Sequence, residues 1–326
     1  MIPLRYDAVV VGGGPAGLSA ALTLGRARLR VLVVDAGRPA NAAATGVGGL
    51  LGHPDDVPAS ALRAAGAAQL AALEHVAVRR GRVVDARLGA RALAVRVAPA
   101  GGGDGPAWVQ ARALLLASGL RYRPPALPGI GPLWGRSVVH CPFCDGWELR
   151  DRAIAVHADG ADAVRRGLLL RGWSDDVLVV GRMSVADRAE LAAAGVRVRE
   201  EPIAALEADP RAPAQLRAIR FADGTRERRE ALFVAPRLER PDGLADALGC
   251  APLRVGAPQL RVDDGGRTSV PRVWAAGDLT ESVRSVPTAI AGGVRVGRAM
   301  ALELLRPARR AAAEPVLAGT APAARP

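Results

Sequence analysis

The sequence of 326 residues contains no lysine, few aromatic residues and only three cysteines. Three cysteines cannot form a disulfide framework in a chain of this length, so apolar cores must stabilise the fold. Half of the residues are apolar, and a prior of roughly 150 residues per domain predicts about two domains. The low cysteine content indicates a reducing compartment, and we expect a cytoplasmic protein.

The basic character of the chain rests wholly on arginine and gives a formal net charge of +12. The arginines are spread along the chain and are not interleaved with aromatic residues, so we expect a solvated surface and no nucleic-acid partner. No apolar run approaches the roughly 18 to 20 residues of a membrane span, which predicts no membrane association. The N-terminal residues carry a single basic side chain, Arg5, so we expect that they are not a signal peptide.

Two of the three cysteines lie in the segment His140-Cys141-Pro142-Phe143-Cys144-Asp145-Gly146-Trp147-Glu148. Two cysteines at this spacing in the first turn of a helix can close and reopen a disulfide, because that end of a helix stabilises a thiolate. Half of a zinc site is the alternative, but there is no second Cys-x-x-Cys and no His pair at ligand spacing, so we expect no metal. The pair is therefore predicted to be a two-electron redox switch.

Proton transfer must accompany this switch, because each thiol is deprotonated when it attacks. His140 and Asp145 flank the cysteines and are the candidate bases. An exposed loop residue is an equally good interpretation of His140.

The N-terminal residues have the pattern of a dinucleotide-binding unit. An apolar run, Tyr6 to Val11, leads into Gly12-Gly13-Gly14-Pro15-Ala16-Gly17, which is followed by a helical pattern and a second apolar run that ends in Asp35. The first glycine permits a tight turn, Gly14 lets the backbone approach a pyrophosphate, and Gly17 lets the helix pack closely on its strand. Asp35 is expected to accept hydrogen bonds from ribose hydroxyls. A glycine-rich loop followed by an incidental acid is the alternative.

Later segments are predicted to complete this unit. Ala113 to Gly119 has the pattern of a buried strand that ends on small residues, and Arg272 to Ala276 has that of a strand followed by Gly277-Asp278. An acid at the end of a strand is placed to accept a hydrogen bond from a ribityl hydroxyl. The helix predicted from Pro287 to Leu305 carries Ala291-Gly292-Gly293, which are small enough for the edge of a flavin ring to approach the backbone.

Two glycine- or proline-rich segments have less specific patterns. Gly46 to Gly52 could lie against a flat ring system or form a mobile surface loop. The tail from Arg306 to Pro326 is rich in proline and alanine, and we expect it to be disordered.

A second strand-turn-helix pattern begins after Asp151, but it lacks the dinucleotide fingerprint. His157-Ala158-Asp159 stand where glycines would let a pyrophosphate approach, and Asp159 and Asp162 would repel one. The next apolar run, Val177 to Val180, is not followed by an arginine cluster that could hold a 2′-phosphate. We therefore expect a Rossmann-like domain that has lost NADPH.

Four motifs stand in one order along the chain: Gly12 to Gly17, Ala117-Ser118-Gly119, Cys141 to Gly146, and Ala276-Gly277-Asp278. In this arrangement the chain resembles the low-molecular-weight thioredoxin reductase family, which is FAD-dependent and of the pyridine nucleotide-disulfide oxidoreductase type. The resemblance implies an α/β fold of two Rossmann-like, three-layer domains and a homodimer. It places a discontinuous FAD domain at 1–121 and 239–305, an inserted degenerate NAD(P)-type domain with the dithiol at 122–238, and a tail at 306–326.

The same resemblance implies roles for individual residues. Cys144 would be the sulfur that faces the flavin, Cys141 the sulfur that exchanges with substrate, and Asp145 the proton carrier, with His140 able to share that work. The residues implied to hold FAD are Gly12, Gly14, Pro15, Ala16, Gly17, Asp35, Ala36, Gly37, Asn41, Ala117, Ser118, Gly119, Gly277, Asp278, Thr288 and Ala289.

Within this family, the segment from His140 to Glu148 is most similar to the branch that oxidises small-molecule dithiols, as in the making of holomycin- and gliotoxin-type disulfides. We therefore expect a small-molecule dithiol to be oxidised through Cys141 and Cys144, with electrons passing by way of FAD to O2. One alternative is a thioredoxin reductase-like enzyme reduced by NADPH or ferredoxin. Another is a non-enzymatic flavoprotein that acts as a redox sensor.

Overall fold

The computed structural model describes residues 5–54, 57–101 and 105–306. The strands are β1 (Arg5–Val11), β2 (Val31–Asp35), β3 (Val76–Leu88), β4 (Leu93–Pro99), β5 (Ala107–Leu116), β6 (Arg121–Arg123), β7 (Val138–Val139), β8 (Ile154–His157), β9 (Val177–Val180), β10 (Arg197–Arg199), β11 (Ile203–Asp209), β12 (Ala212–Phe221), β13 (Arg226–Arg228), β14 (Ala231–Val234), β15 (Arg237–Glu239) and β16 (Val273–Ala275). The α-helices are α1 (Pro15–Arg26), α2 (Ala59–Ala71), α3 (Pro142–Asp145), α4 (Gly160–Leu170), α5 (Val185–Ala193), α6 (Leu244–Ala247) and α7 (Val286–Leu304). Apart from Arg306, the tail expected to be disordered lies outside the described residues.

The first α/β unit is built on a parallel sheet to which both ends of the chain contribute. In this sheet β1 pairs with β2 and β5, β2 pairs with β3, and β5 pairs with β16. The valine and leucine runs of β1, β2 and the end of β5 are buried, as a parallel sheet covered on both faces requires.

Two long strands connect this sheet to a third layer. β3 and β5 continue past the parallel sheet and pair with β4 in an antiparallel meander. One hydrophobic core lies between the meander and the sheet, and a second lies between the sheet and helices α1 and α7. The unit is therefore a three-layer α/β structure.

The second α/β unit repeats these layers with a different sheet. Its parallel strands lie in the order β10-β9-β8-β14-β7. One face packs against residues of α4 and α5, and the other packs against the antiparallel meander of β11, β12 and β13. The predicted α/β class with two Rossmann-like units is confirmed.

The chain passes between the two units twice, and the two crossings pair with each other. β6 and β15 form an antiparallel ribbon in which Tyr122 lies opposite Leu238. The predicted domain boundaries at 121/122 and 238/239 fall on this ribbon, and the exact division stays a prediction. Among the described residues, no helix combines the length and apolar character needed to cross a bilayer.

Candidate active site

A large cavity lies where β1, β2, β5 and β16 end, at the N-terminus of α1. The carboxyl edge of a parallel sheet is the usual ligand-binding edge in this class of fold. The sequence-predicted residues that line the cavity are Gly12, Gly14, Pro15, Ala16, Asp35, Asn41, Ala117, Ser118, Gly119, His140, Cys144, Asp145, Gly277, Asp278 and Ala289. The structure thus brings together the nucleotide-binding motif, the residues that follow β16 and the dithiol segment.

The glycines at the start of α1 divide by what surrounds them. A Cβ at Gly12 would collide with the carbonyl oxygen of Ala117, and Gly12 has a positive φ of 108°. A Cβ at Gly17 would collide with the carbonyl oxygen of Gly12, so Gly17 serves helix–strand packing. Gly14 has no atom within 4 Å of its Cβ position, because it faces the cavity. The space beside Gly14 is therefore open to a ligand and is not filled by protein atoms.

Asp35 lies at the end of β2 on the wall of this cavity. Its Oδ1 accepts a hydrogen bond from the backbone N–H of Gly13 at 3.3 Å, and its Oδ2 lies 3.2 Å from Nη1 of Arg80. These contacts fix the carboxylate at the turn and leave it accessible to ribose hydroxyls, as the fingerprint predicts.

Asp278 occupies the opposite wall, in the short 3₁₀ helix Gly277–Leu279. It is half-buried, and it accepts a hydrogen bond of 2.9 Å from the hydroxyl of Tyr122. Burial raises the pKa of Asp278. Its position fits the predicted contact with a ribityl chain.

Several predicted residues lie outside the lining of this cavity. Ala36 lines an adjoining pocket, and Gly37, in a left-handed turn with φ of 68°, lies directly beneath the guanidinium of Arg80. Thr288 is held in a capping box, in which its backbone N–H donates to Ser285 Oγ at 3.2 Å. Cys141 also lies outside the lining, and its exchange with substrate stays a prediction.

The expectation that Ala291-Gly292-Gly293 contacts a flavin ring is wrong. A Cβ at Gly293 would collide with the carbonyl oxygen of Ala16, so this part of α7 packs against α1. The residues of α7 that reach the cavity lie one turn earlier, at Val286 and Ala289. Small residues on a helix serve helix–helix contact as readily as ligand contact, and the sequence does not separate the two.

Sequence reasoning missed several large side chains of the cavity, among them Tyr122, Trp134 and Arg284. Tyr122 follows the strand end at Gly119 closely, which is the one signal that could have suggested it. Trp134 and Arg284 lie in irregular segments without a motif. The glycine-rich segment proves to belong to the site, since Gly46 and Gly48 line the cavity and a Cβ at Gly48 would meet the carbonyl oxygen of Cys144 at 2.5 Å.

The dithiol lies at the start of the one-turn helix α3. Cys141 is the N-cap residue, and Pro142 occupies the first helical position, where its missing N–H costs nothing. The backbone N–H groups of Cys144 and Asp145 both donate to the carbonyl oxygen of Cys141, at 3.1 Å. The two sulfur atoms lie 2.6 Å apart, so the reduced pair can close to a disulfide, about 2.05 Å in length, without refolding α3.

The two thiols are chemically unequal. A hydrogen bond from the Cys144 thiol lowers the pKa of Cys141, which favours its thiolate. The same hydrogen bond, together with burial, raises the pKa of Cys144. In the reduced state Cys141 is therefore the nucleophile, and Cys144 holds the proton.

The two candidate bases also differ. Burial, and after it the charge of Glu148, raises the pKa of Asp145 to about 6. Burial lowers the pKa of His140 to about 4, and its ring packs against Tyr122 with the centroids 4.9 Å apart. At neutral pH His140 is uncharged, and Asp145 is the group whose pKa lies closer to the working range.

The turn after β8 in the second unit is closed by a carboxylate. Asp159 is the N-cap residue of α4, and its Oδ1 accepts a hydrogen bond of 2.7 Å from the backbone N–H of Arg182. Asp162 pairs with Arg165 and Arg166 on the first turns of the same helix. A negative group thus stands where a dinucleotide pyrophosphate would approach the backbone.

No group of three or more potential metal-ligating side chains occurs within the part of the chain that the structure describes. The third cysteine, Cys250, is buried in the first unit, with its sulfur 3.8 Å from Thr268 Oγ1.

The fold and the dithiol define an FAD-dependent disulfide oxidoreductase, and comparisons with known proteins agree. Residues 6–293 match the model of the pyridine nucleotide-disulphide oxidoreductase family. The chain is 29% identical over 319 residues to thioredoxin reductase tcpT of Claviceps purpurea (strain 20.1), covering 92% of this chain and 94% of the relative. It is 34% identical to the solved structure of HlmI, with a TM-score of 0.82 and 92% of each chain covered. An oxidoreductase from Agrobacterium tumefaciens is 30% identical, with a TM-score of 0.83 and coverage of 94% and 100%.

The chain therefore belongs to the pyridine nucleotide-disulphide oxidoreductase family. The resemblance to thioredoxin reductases predicted from the sequence is confirmed, and FAD is the cofactor. The residues present fit this cofactor, because the cavity begins at an open glycine turn on a helix N-terminus and reaches Asp278 and the dithiol.

Proposed function

We propose that this protein oxidises a small-molecule dithiol to a disulfide through Cys141 and Cys144, with FAD as cofactor and O2 as electron acceptor. One observation carries the proposal: Cys144 lines the FAD cavity, whereas a carboxylate, Asp159, stands at the turn where a second nucleotide would approach. Electrons from thiols thus have a route to the cavity that electrons from a nicotinamide lack. The balanced reaction converts the dithiol and O2 into the disulfide and H2O2.

The sulfur exchange begins from the Cys141–Cys144 disulfide. A substrate thiolate attacks Cys141 Sγ, which breaks the enzyme disulfide and releases Cys144 as a thiolate. The second substrate thiolate then attacks the substrate sulfur bound to Cys141, so the substrate disulfide closes and Cys141 leaves. The lowered pKa of Cys141 makes it a good leaving group, because thiols of lower pKa leave faster.

Asp145 is proposed to carry the proton that Cys144 gains and loses in each cycle. With a pKa of about 6, it can accept and release a proton near neutral pH. His140, with a pKa of about 4, is less suited to hold that proton and is proposed to orient the segment before the dithiol by packing on Tyr122. FAD in this cavity would supply the acceptor for the two electrons, which O2 would finally receive.

Two exposed aromatic rings beside the dithiol support an apolar small molecule as substrate. The Phe143 side chain, between the two cysteines, is 74% exposed, and that of Trp147 is 62% exposed. Both residues lie within six positions of Cys141 along the chain. Exposed apolar surface next to a reactive group favours a partner that covers it.

An anaerobic titration of the FAD-loaded protein tests the proposal. A model dithiol should bleach the flavin absorption stoichiometrically, NADPH should not, and admission of air should restore the colour. Reduction by NADPH at the rate of turnover would instead establish a thioredoxin reductase-like enzyme. A single reduction by dithiol without sustained O2 uptake would favour the redox sensor.

We also propose a homodimer in the cytoplasm. The family resemblance supports the dimer, and the cysteine content supports a reducing compartment. Sedimentation equilibrium of the FAD-loaded protein measures the assembly directly, and a monomer at micromolar concentration would overturn that part of the proposal.

A further inference from the structure

Arg284 brings a positive charge to the FAD cavity. It lies between the 3₁₀ helix Gly277–Leu279 and α7, and its guanidinium lines the cavity. Its Nη1 donates to the carbonyl oxygen of Ser282 at 3.1 Å, whereas its Nε is buried without a hydrogen-bond partner. Its charge acts on the carboxylate of Asp278, which lines the same cavity. Burial of the unpartnered Nε is costly unless a ligand accepts its hydrogen bond.

The neighbours of Arg284 locate it within the cavity. Asp278, Tyr122 and His140 line the same cavity as Arg284. Asp278 marks the part of the cavity suited to the ribityl chain, and His140 directly precedes the dithiol. FAD held with its ribityl chain at Asp278 would bring its isoalloxazine ring toward His140 and the dithiol.

The ring changes its charge during the reaction. Closing a disulfide from a dithiol releases two electrons and two protons. A flavin that accepted both electrons and one proton would carry a negative charge, and the other proton would leave through a base. A neutral oxidised ring needs no counter-charge, and the anion does.

We propose that Arg284 is the counter-charge for the reduced isoalloxazine ring, which its guanidinium stabilises relative to the oxidised ring. The inference rests on FAD as cofactor and not on the identity of the dithiol or of the electron acceptor. It predicts that Arg284 raises the reduction potential of the flavin and so favours electron flow from thiols.

Sulfite is the probe, because it adds to an oxidised flavin to give an anionic adduct without any thiol or O2. The variants are Arg284→Gln, Arg284→Lys and, as a control, Arg298→Gln on the exposed side of α7. Arg284→Gln should weaken sulfite binding by about ten- to hundredfold, as expected for the loss of a hydrogen bond to a charged group. Arg284→Lys should retain most of the affinity, and the control should match the parent. The flavin reduction potential should fall in the same order.

Unchanged sulfite affinity in Arg284→Gln, or an equal loss in the control, would overturn the proposal. Loss of FAD from Arg284→Gln would also overturn it in favour of a role in cofactor retention, because a counter-charge for the anion leaves binding of the neutral ring intact. The assay contains neither dithiol nor O2, so its failure is distinct from failure of the proposed function.

Discussion

Asp159 accepts a hydrogen bond of 2.7 Å from the backbone N–H of Arg182, which joins the end of β8 to the end of β9. In return, the carbonyl oxygen of Arg182 accepts from the backbone N–H of Gly160 at 2.8 Å. Asp159→Ala should therefore lower the free energy of unfolding by about 0.5 to 1 kcal/mol, whereas Asp159→Asn keeps the acceptor and should stay close to the parent. Urea unfolding measures both, and equal damage from the two substitutions would contradict this role of the hydrogen bond.

The glycine turn before α1 offers a matched pair of substitutions. Gly14→Ala should leave the stability of the FAD-free protein unchanged, because Gly14 has an ordinary φ of −80° and open space at its Cβ position. The same substitution should weaken FAD binding by tenfold or more, which corresponds to a loss of about 1.4 kcal/mol or more in binding free energy. Gly12→Ala should lower both, because the added Cβ collides with the backbone at Ala117. Thermal unfolding of the FAD-free proteins and FAD titration separate the two effects.

Cys144→Ser should abolish turnover while FAD stays bound, because the sulfur that lines the cavity is removed and the glycine turn is untouched. Cys250→Ser is the control, since Cys250 is buried in the first unit and does not line the cavity. Steady-state O2 uptake with a model dithiol measures turnover, and the absorption spectrum reports bound FAD. Dithiol oxidation by Cys144→Ser at the parent rate would end the proposed mechanism.

Asp145 should make stability depend on pH. Its pKa is raised to about 6 from an ordinary value of 3.8, so between these values the folded protein binds more protons at this site than the unfolded chain does. The contribution of Asp145 to stability is therefore fully present below pH 3.8 and is lost as the pH rises through about 6. Asp145→Asn should remove this loss, which is about 1 to 2 kcal/mol at neutral pH after allowing for partial exposure.

Urea unfolding of the parent and Asp145→Asn across this range checks the sign, and a parent that gains stability relative to the variant with rising pH would refute it. Activity provides a second readout. The parent rate should rise as Asp145 loses its proton near pH 6, and the variant should be slower and lack this limb.

Trp147 and Trp108 form a second matched pair. Each ring is partly exposed, and each lies under an arginine, with Arg150 3.9 Å from the Trp147 centroid and Arg87 4.8 Å from that of Trp108. Trp147→Ala should raise the KM for an apolar dithiol by about tenfold, because burial of a large apolar side chain stabilises a complex by about 1.5 to 3 kcal/mol. Trp108→Ala, on the outer meander, should leave KM unchanged. Equal effects of the two substitutions would show that the ring beside the dithiol is not a substrate contact.

The motifs that could be predicted from the sequence are local ones, formed by residues that are close to one another along the chain. β1, the glycine turn, α1 and β2 follow one another, and the Cys141–Cys144 pair needs one turn of helix. Tyr122 and Arg284 could not be found in this way, because each enters the cavity through contacts distant in sequence, such as the hydrogen bond from Tyr122 to Asp278.

The sequence also could not predict that β3 and β5 each extend through two layers. Each is a single continuous strand, and the point at which it leaves the parallel sheet is set by its partners, β2 and β4 or β1 and β4. The glycines of α7 were misinterpreted for the same reason, because only the folded structure shows that they face α1.

The ribbon of β6 and β15 is more than a connector, because Tyr122 within it contacts both sides at once. Its hydroxyl bonds to Asp278 on the wall formed by the end of the chain, and its ring packs against His140 beside the dithiol. A rotation of one unit relative to the other must therefore break one of these contacts or move Tyr122 together with its partner. A single aromatic side chain thus connects the wall of the cofactor cavity to the segment that carries the dithiol.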